Sequence, residues 1–375
     1  MGHMQFTAVV LMAILTFKLV LLPKKVELNA MANRARWLMA GSTFLLAVQF
    51  LIQYTLHLRQ MGVTQAVMIN LFFFIPCSWM LSVALLNLQG KGRVTRLDRF
   101  MGGMIWLIGI AMLGYAAAID GQPLFSDTPE LRLAEIVCSV LYAGMQGHYA
   151  WRQGANLASM RRVLQDYYDR DMDYMLSWMR LSIIILVVLA IMVPILIFGN
   201  GPWLAIYAIF FFISFFYMVD SFCSYVVSSA PGRFQEAEES DEEESREALK
   251  DNTTSGKDKT AEDTAVTMRN VEYAVRKWIK AEGYLKSGMK LPIAADEIGV
   301  PQYQLTAWLR QQNLKYSDWI TGLRIEDAKR MLLEHPEWTS EAIAENCGFT
   351  TREYFHRIFR STIGMTPAQY QQRNT

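Results

Sequence analysis

The sequence predicts an all-α protein built from two unlike halves. Three observations predict it. Seven long apolar segments occupy the first 227 residues, and a strongly acidic stretch follows at 234–265. The remainder carries two helix–tight turn–helix patterns with apolar residues at helical spacing. At 375 residues the chain is long enough for more than one domain. Its 52% apolar content and net charge of +1 are averages over parts that differ sharply.

The seven apolar segments are residues 6–22, 37–58, 63–88, 100–119, 131–151, 181–198 and 203–227. A membrane-crossing helix needs about 20 predominantly apolar residues. Each segment meets or approaches that length, and short polar stretches separate them. The opening MGHM reads as a vector-derived remnant ahead of Met4, and the first segment reads as a membrane helix rather than a cleaved signal peptide.

Loop charge sets the orientation. Lys24, Lys25, Arg34 and Arg36 follow segment one, Lys91, Arg93, Arg96 and Arg99 follow segment three, and Arg152, Arg161, Arg162 and Arg170 follow segment five. The alternate loops hold Arg59 alone, DGQPLFSDTPE without Lys or Arg, and GNGP. The basic loops are therefore expected in the cytoplasm, the N-terminus outside and the C-terminus inside. The outer loops are too short to fold into a sensor, so a small-molecule or protein signal has to be read within the bundle, at its rim or through a partner.

Polar side chains within spans are costly and often functional. Gln49, Gln53 and His57 share one helix face at i, i+4 and i+8. Gln65, Asn70, Arg132 and Glu135 lie at similar outer depth, and the seven together form a candidate signal pocket. The competing reading is interhelical hydrogen bonding that holds the bundle together. At the inner side His148 and Asp220 read as interfacial, and Lys18 reaches toward the surface. Segment seven has no lysine for a retinal Schiff base, and HExxH, GxSxG and P-loop patterns are absent from the sequence. Cys77, Cys138, Cys223 and Cys347 have no paired spacing. No catalytic residue, metal site or cofactor is expected.

Residues 153–177 alternate charged with apolar and aromatic positions and predict an amphipathic cytoplasmic helix, lying on the membrane surface or touching the C-terminal domain, the former preferred. Residues 234–265 hold twelve acidic and four basic residues, net −8. Such composition predicts a disordered, extended linker. It is either a spacer or an internal polyanion that competes for a basic face. The domains are thus expected at 1–230, 231–265 and 266–375.

The third region opens with an amphipathic helix, MRNVEYAVRKWIKAEGYLK. In the first helix pair LPIAADEI precedes Gly299, and Pro301 opens QYQLTAWLRQQ at a position that suits proline. Leu305, Trp308 and Leu309 form its buried set, leaving Gln302, Tyr303, Thr306 and Arg310 outward. Asn313 suits a left-handed helix end. A long helix, YSDWITGLRIEDAKRMLLEH, follows, with Ser317 as its expected cap. In the second pair Thr339 or Ser340 caps EAIAENC, Gly348 turns the chain, and Thr350 or Thr351 caps REYFHRIFR. Phe355, Ile358 and Phe359 have core spacing, while Arg352, Glu353, His356 and Arg357 project outward. Thr366 and Pro367 open the last helix.

The motifs IAADEIGV, LRIEDAKRMLLE, IAENCGF, EYFHRIFR and GMTPAQY resemble, in order and spacing, the DNA-binding domain of AraC-type transcription regulators. The resemblance covers about residues 291–373, under a quarter of the chain. It implies double-stranded DNA as partner, with two recognition helices entering successive major-groove segments on one DNA face. By position, Tyr303, Gln304, Thr306, Ala307 and Arg310 would serve the first helix. Thr351, Arg352, Glu353, His356, Arg357 and Arg360 would serve the second. Ala307 departs from the larger polar residues common in the family. Arginine grips guanine bidentately, and other cations position the backbone. From Thr267 onward fifteen basic and twelve acidic residues leave only +3, so a homodimer or a clustered basic face is expected to supplement affinity. With the apolar half in the lipid bilayer, the resemblance implies a one-component regulator in a bacterial cytoplasmic membrane, coupling a signal at the bundle to DNA binding. Two other readings are a transporter or enzyme with a regulatory tail, and a structural tether for DNA.

Overall fold

The computed structural model describes residues 2–22, 29–56, 63–90, 94–119, 128–170, 172–198, 202–228, 230–254 and 261–374. His57 lies outside them, as do Lys24, Lys25, Arg59, Lys91 and Arg93, and the side chain of Gln65 is likewise outside the description. Every regular element is helical, and an isolated bridge between Tyr168 and Lys290 is the sole β pairing among the described residues. The first seven helices are α1 (Gly2–Val20), α2 (Ala30–Thr55), α3 (Val63–Leu88), α4 (Arg96–Ile119), α5 (Pro129–Tyr167), α6 (Ser177–Phe198) and α7 (Pro202–Val227). The others are α8 (Ala230–Thr254), α9 (Ala261–Lys280), α10 (Leu291–Ile298), α11 (Gln302–Gln311), α12 (Tyr316–Glu334), α13 (Ser340–Asn346), α14 (Arg352–Ile363) and α15 (Pro367–Asn374). The chain forms two compact units, Met1–Met160 with Tyr174–Arg233, and Arg161–Asp173 with Phe234–Thr375.

In the first unit α3 touches α2, α4 and α6, and α1 packs between α2 and α7. Polar side chains are buried among the apolar residues of the interior, and large apolar side chains lie on the outside. Ser42, Thr43, Gln49, Gln53, Ser82, Glu135, Gln146 and Gln153 are buried, whereas Phe17, Phe100, Leu107 and Ile213 are all more than 60% exposed. An outer apolar surface of this kind matches a lipid solvent, in which helices associate through packing and internal polar contacts. The inner contacts follow that logic. Thr16 donates to Thr43 at 2.9 Å, Ser82 to Gln146 at 3.2 Å, and Gln153 to the Ser82 carbonyl at 2.9 Å. Pro76 lies inside α3 and has no N–H to offer the Phe72 carbonyl. The Trp106 indole N–H of α4 donates to that carbonyl at 2.8 Å and so satisfies the acceptor that Pro76 leaves without a backbone donor.

Among the described residues, five helical segments are long and apolar enough to cross a membrane: Ala30–Thr55, Val67–Leu88, Arg96–Ile119, Asp173–Met192 and Ile206–Val227. The first predicted segment falls on the shorter apolar helix Gln5–Val20. The fifth falls inside α5, where Arg132, Glu135, Gln146 and His148 dilute the apolar run. Neither expected interfacial residue is unengaged. His148 Nε2 and Arg152 approach Asp98 at 3.2 Å each, and Lys18 pairs with Asp220 at 2.5 Å.

In the second unit two adjoining cores share α12. Val275, Trp278, Leu291, Ile298, Leu305, Leu309 and Trp319 belong to the first. Ile325, Leu332, Ile343, Phe349, Phe355 and Phe359 belong to the second. Two expectations are corrected here. Residues 230–254 form α8 rather than a disordered linker. Glu, Ala and Arg favour helix, Arg246 and Glu242 pair at i, i+4, and Phe234 and Ala237 bury themselves at 1% exposure. Residues 153–177 are not one amphipathic surface helix. Their first part continues α5, and residues 165–170 pack onto the C-terminal domain. The anchor is Asp169, which pairs with Arg324 at 2.8 Å with both side chains 1% exposed.

Candidate nucleic-acid interface

Two similar helix pairs present the expected residues. In the first, α10 ends at Gly299, whose φ of +80 is left-handed and closes the helix through bonds to the Ala295 and Asp296 carbonyls. Pro301 then opens α11. In the second, α13 ends at Cys347, and Gly348 with φ of +77 turns the chain. A Cβ at Gly348 would stand 2.1 Å from the Leu285 carbonyl oxygen, so both conformation and space demand glycine there. Thr339 and Thr351 are the caps, accepting from Ala342 N–H and Tyr354 N–H at 3.1 Å each. Thr366 and Gln369 form a reciprocal cap on α15, at 3.3 and 2.9 Å. Asn313 adopts φ of +54 as its position at the helix end demands. Ser317 is a correction: Lys315 is the first flanking residue of α12, and Ser317 is buried within the helix.

The cores orient the outward faces. Leu305, Leu309, Phe355 and Phe359 are buried, with Trp308 and Ile358 partly so. On α14 the opposite face is open: Thr351, Arg352, Glu353, Arg357 and Arg360 are exposed, and His356 is half-buried. The Arg357 guanidinium lies over the Tyr354 ring at 5.5 Å, which aligns it along the helix. Burial, with Arg352 beside it, holds His356 below its ordinary range, so the imidazole is neutral at pH 7. The arrangement is a cationic helix face of three arginines, suited to phosphate oxygens and base edges.

The α11 face is different. Tyr303, Gln304 and Ala307 are half-buried, and Gln304 donates to the Tyr303 hydroxyl at 3.1 Å. Arg310 is exposed, but Thr306 is buried. Glu244 of α8 accepts from Thr306 and from Gln302, at 3.0 Å each, and Gln302 also donates to Ser240 at 3.1 Å. Burial raises the Glu244 carboxyl above its ordinary range, against the opposing pull of Gln302, Thr306 and Arg310. Glu236 goes the other way: burial lifts it, but Lys290, Tyr167 and Tyr168 outweigh that and hold it low. Lys290 pairs with Glu236 at 2.5 Å. Asp169 also accepts from Met289 N–H at 2.9 Å, and Arg324 donates to the Tyr284 and Lys286 carbonyls at 2.9 and 2.8 Å. Asp169 and Arg324 did not stand out in the sequence, whereas Glu244 belongs to the acidic stretch read there as a spacer or an internal polyanion. A charged residue within the apolar face of α12 was the one available signal for Arg324.

In the first unit the structure joins three of the expected pocket residues. Asn70 Oδ1 accepts from Gln49 and Gln53 at 2.7 and 3.0 Å, linking α3 to α2, and both glutamines are fully buried. Glu135 is buried on α5, while Arg132 is exposed near its start. No group of three or more potential metal ligands occurs among the described residues.

Residues 294–373 match a family described as a helix-turn-helix domain. The chain is similar to regulatory protein PocR of Salmonella typhimurium, 28% identical over 93 residues, which are 24% of this chain and 30% of that protein. It is also similar to the HTH-type transcriptional regulator GadX of Escherichia coli, 31% identical over 80 residues, 21% of this chain and 29% of the relative. A third relative is the uncharacterized HTH-type transcriptional regulator YobQ of Bacillus subtilis, 39% identical over 71 residues, 19% and 28% of the two chains. The chain thus spans about 30% of the length of the curated relatives it matches. No solved structure matches. Residues 294–373 thus carry a helix-turn-helix domain similar to those of proteins named as transcriptional regulators.

Proposed function

We propose that the protein is a membrane-embedded, one-component transcription regulator of the bacterial cytoplasmic membrane. A bundle at 1–230 crosses the bilayer seven times with its N-terminus outside, α1 and the first part of α5 completing the five more apolar crossings. A signal received there alters sequence-specific binding of double-stranded DNA by the cytoplasmic domain at 266–375, joined through residues 231–265. α10–α11 and α13–α14 act as two helix-turn-helix units. Arg352 and Arg357 are the principal base readers, supported by Thr351, Glu353, His356 and Arg360. Tyr303, Gln304, Thr306, Ala307 and Arg310 form the first reading face.

One observation carries this reading. A helix-turn-helix domain at 294–373 shares its chain with a bundle of long apolar helices whose outer surface exposes large apolar side chains. The alternation of basic and non-basic loops independently assigns the domain to the side that holds DNA. We assign signal recognition to the Gln49–Gln53–Asn70 cluster, where both glutamine Oε1 atoms are buried with no hydrogen-bond partner among the described residues. Buried acceptors of this kind favour a ligand that donates hydrogen bonds. The modest charge of the DNA-binding domain favours a homodimer on DNA. A ligand switches the protein only through a difference in affinity between its two states.

The test is genome-wide mapping of DNA bound by the full chain in cells, alongside membrane fractionation. Discrete sites occupied by a membrane-fraction protein, and lost in an Arg352→Ala/Arg357→Ala variant, are expected. A protein in the soluble fraction, or occupancy indifferent to both arginines, would overturn the proposal.

A further inference from the structure

Beyond that function, and resting on its assignment of α11 as a DNA reader, we infer that α8 is an intramolecular occupant of the first DNA-reading face. The α8 side chains that face the domain recur at helical spacing. Phe234 and Ala237 are buried, and Ser240, Glu244 and Ala248 are half-buried, while Glu242, Glu243 and Glu247 remain exposed. Ala237, Ser240 and Glu244 line one small cavity with Leu291, Gln302, Thr306 and Arg310, so this stripe lies over α11.

The chemistry of the contact imitates a nucleic acid. Gln302, Thr306 and Arg310 occupy i, i+4 and i+8 on α11 and therefore share one face. Glu244 Oε2 accepts from both Gln302 Nε2 and Thr306 Oγ1, and its carboxylate is attracted by Arg310. Those donors and that cation are the groups a phosphate or a base acceptor would engage. A second acid, Asp166 near the end of α5, also faces Arg310 together with Lys315. Gln165 accepts from Lys315 at 2.5 Å. The buried Asp169–Arg324 pair fixes this second segment in place. α8 and residues 165–170 thus form a clasp in which one acid from each lines the same small cavity as Arg310 and is attracted by it. A DNA duplex and the clasp cannot hold Gln302 and Thr306 at once.

On α14, by contrast, Arg352, Glu353, Arg357 and Arg360 remain exposed. The clasp reaches the second pair at its turn, where Arg170 donates to Thr350 at 3.4 Å. The protein in this conformation offers DNA one reading helix rather than two, and release of the clasp is the step that supplies the other. Signal-dependent gain of DNA affinity follows if the bundle state sets whether the clasp is engaged.

A reversible covalent lock tests this in the full chain held in lipid nanodiscs. Ser240→Cys with Gln302→Cys places two thiols at the contact, and the four native cysteines are buried. The probe is a pool of random duplexes selected on the reduced variant. The disulfide is expected to form under mild oxidation. It should then lower affinity for the selected duplexes at least tenfold and shrink the footprint to the part read by α14, with recovery on reduction. Glu244→Lys, which sets a like charge against Arg310, should instead raise affinity of the otherwise unaltered chain. Failure to crosslink, or equal affinity and footprint of the oxidised and reduced forms, overturns the clasp. A crosslink that forms in a protein selecting no duplex in any form instead overturns the regulator reading on which the clasp's purpose rests.

Discussion

The helices α11 and α14 follow the same design but face opposite situations. Each follows a glycine-turned helix, each buries two large apolar residues one turn apart, and each points a polar strip outward. On α14 that strip is exposed and rich in arginine. On α11 it is hydrogen-bonded to an acidic helix of the same chain. The difference teaches that a reading helix is defined by what competes for its donors as well as by its own residues. Gln302 and Thr306 are neutral donors that a single carboxylate satisfies, whereas three arginines within nine residues would need a far larger anionic surface.

The largest effect expected concerns the anchor of the covered side. Arg324 is buried with Asp169 and also holds two backbone carbonyls. Removing one partner of a buried pair strands the other, at a cost of about 3–5 kcal/mol. Arg324→Ala should therefore collapse amide-exchange protection of α10–α12 by that amount. Asp169→Asn, which keeps a carbonyl for Met289 N–H, should cost less. A loss under about 1 kcal/mol in Arg324→Ala would remove the anchor from the comparison.

DNA affinity separates the two helices directly. Replacing a bidentate arginine costs about 1–3 kcal/mol of discrimination at the base it reads. Arg352→Ala and Arg357→Ala should each show such a loss in binding to a selected duplex. Thr306→Ala should show it only in a chain whose clasp has been opened by Glu244→Lys. If Thr306→Ala weakens binding equally in the closed chain, α11 is already on DNA and the asymmetry fails.

A smaller effect sharpens the comparison from the side of α14. Thr351 is its N-cap, and losing such a cap costs about 1 kcal/mol. α11 begins after Pro301 with no side-chain cap. Thr351→Ala should thus fray α14 in exchange measurements while leaving α11 unchanged, since the first turn of α11 is held by Glu244 and Ser240 through Gln302. Fraying of both helices to the same extent would show that they share one cooperative unit and are not held separately.

Most of this scaffold was legible from local chemistry. Gly299, Gly348, Asn313, Thr339, Thr351 and Thr366 announce their backbone roles through conformational demands that do not depend on distant residues. The apolar spacing on α11 and α14 likewise announces which face is outward. Residues 230–254 were misread for a definite reason. High charge signals poor burial, but Glu-rich sequence also has good helix propensity, and the start of the helix is buried at Ala230, Pro231, Phe234, Ala237 and Glu238. Ser317 was misread because a capping side chain can equally sit inside a helix when the boundary moves two residues, here to Lys315. Asp169 and Arg324 are 155 positions apart, and nothing local in either segment specifies that they meet. The Gln49–Asn70 contact was legible as a shared polar depth, though the bond pattern was not.

The smallest expected effect is a pH dependence of the covered face alone. Glu244 and Asp166 both have carboxyls raised chiefly by burial, the former facing Gln302, Thr306, Arg310 and Asp241, the latter Arg310, Lys315, Arg162 and Asp241. A carboxyl raised on docking binds its proton more tightly in the docked state. Its contribution to docking is therefore complete below its ordinary value and is lost as pH rises through the raised one. Glu236 has the opposite sign: its contribution persists above its ordinary value and fades only as pH falls through its lowered one. Between neutrality and the ordinary carboxylate range Glu236 stays ionised, so Glu244 and Asp166 set the slope. Protection of α11 amides, corrected for intrinsic exchange, should rise modestly as the solution is acidified through that window, and α14 should not respond in the same sense. Glu244→Gln should flatten the response, because the amide carbonyl can accept from Gln302 and Thr306 at every pH. An unchanged slope in Glu244→Gln would assign the titration to Asp166, and the absence of any slope would mean that neither acid is desolvated against α11.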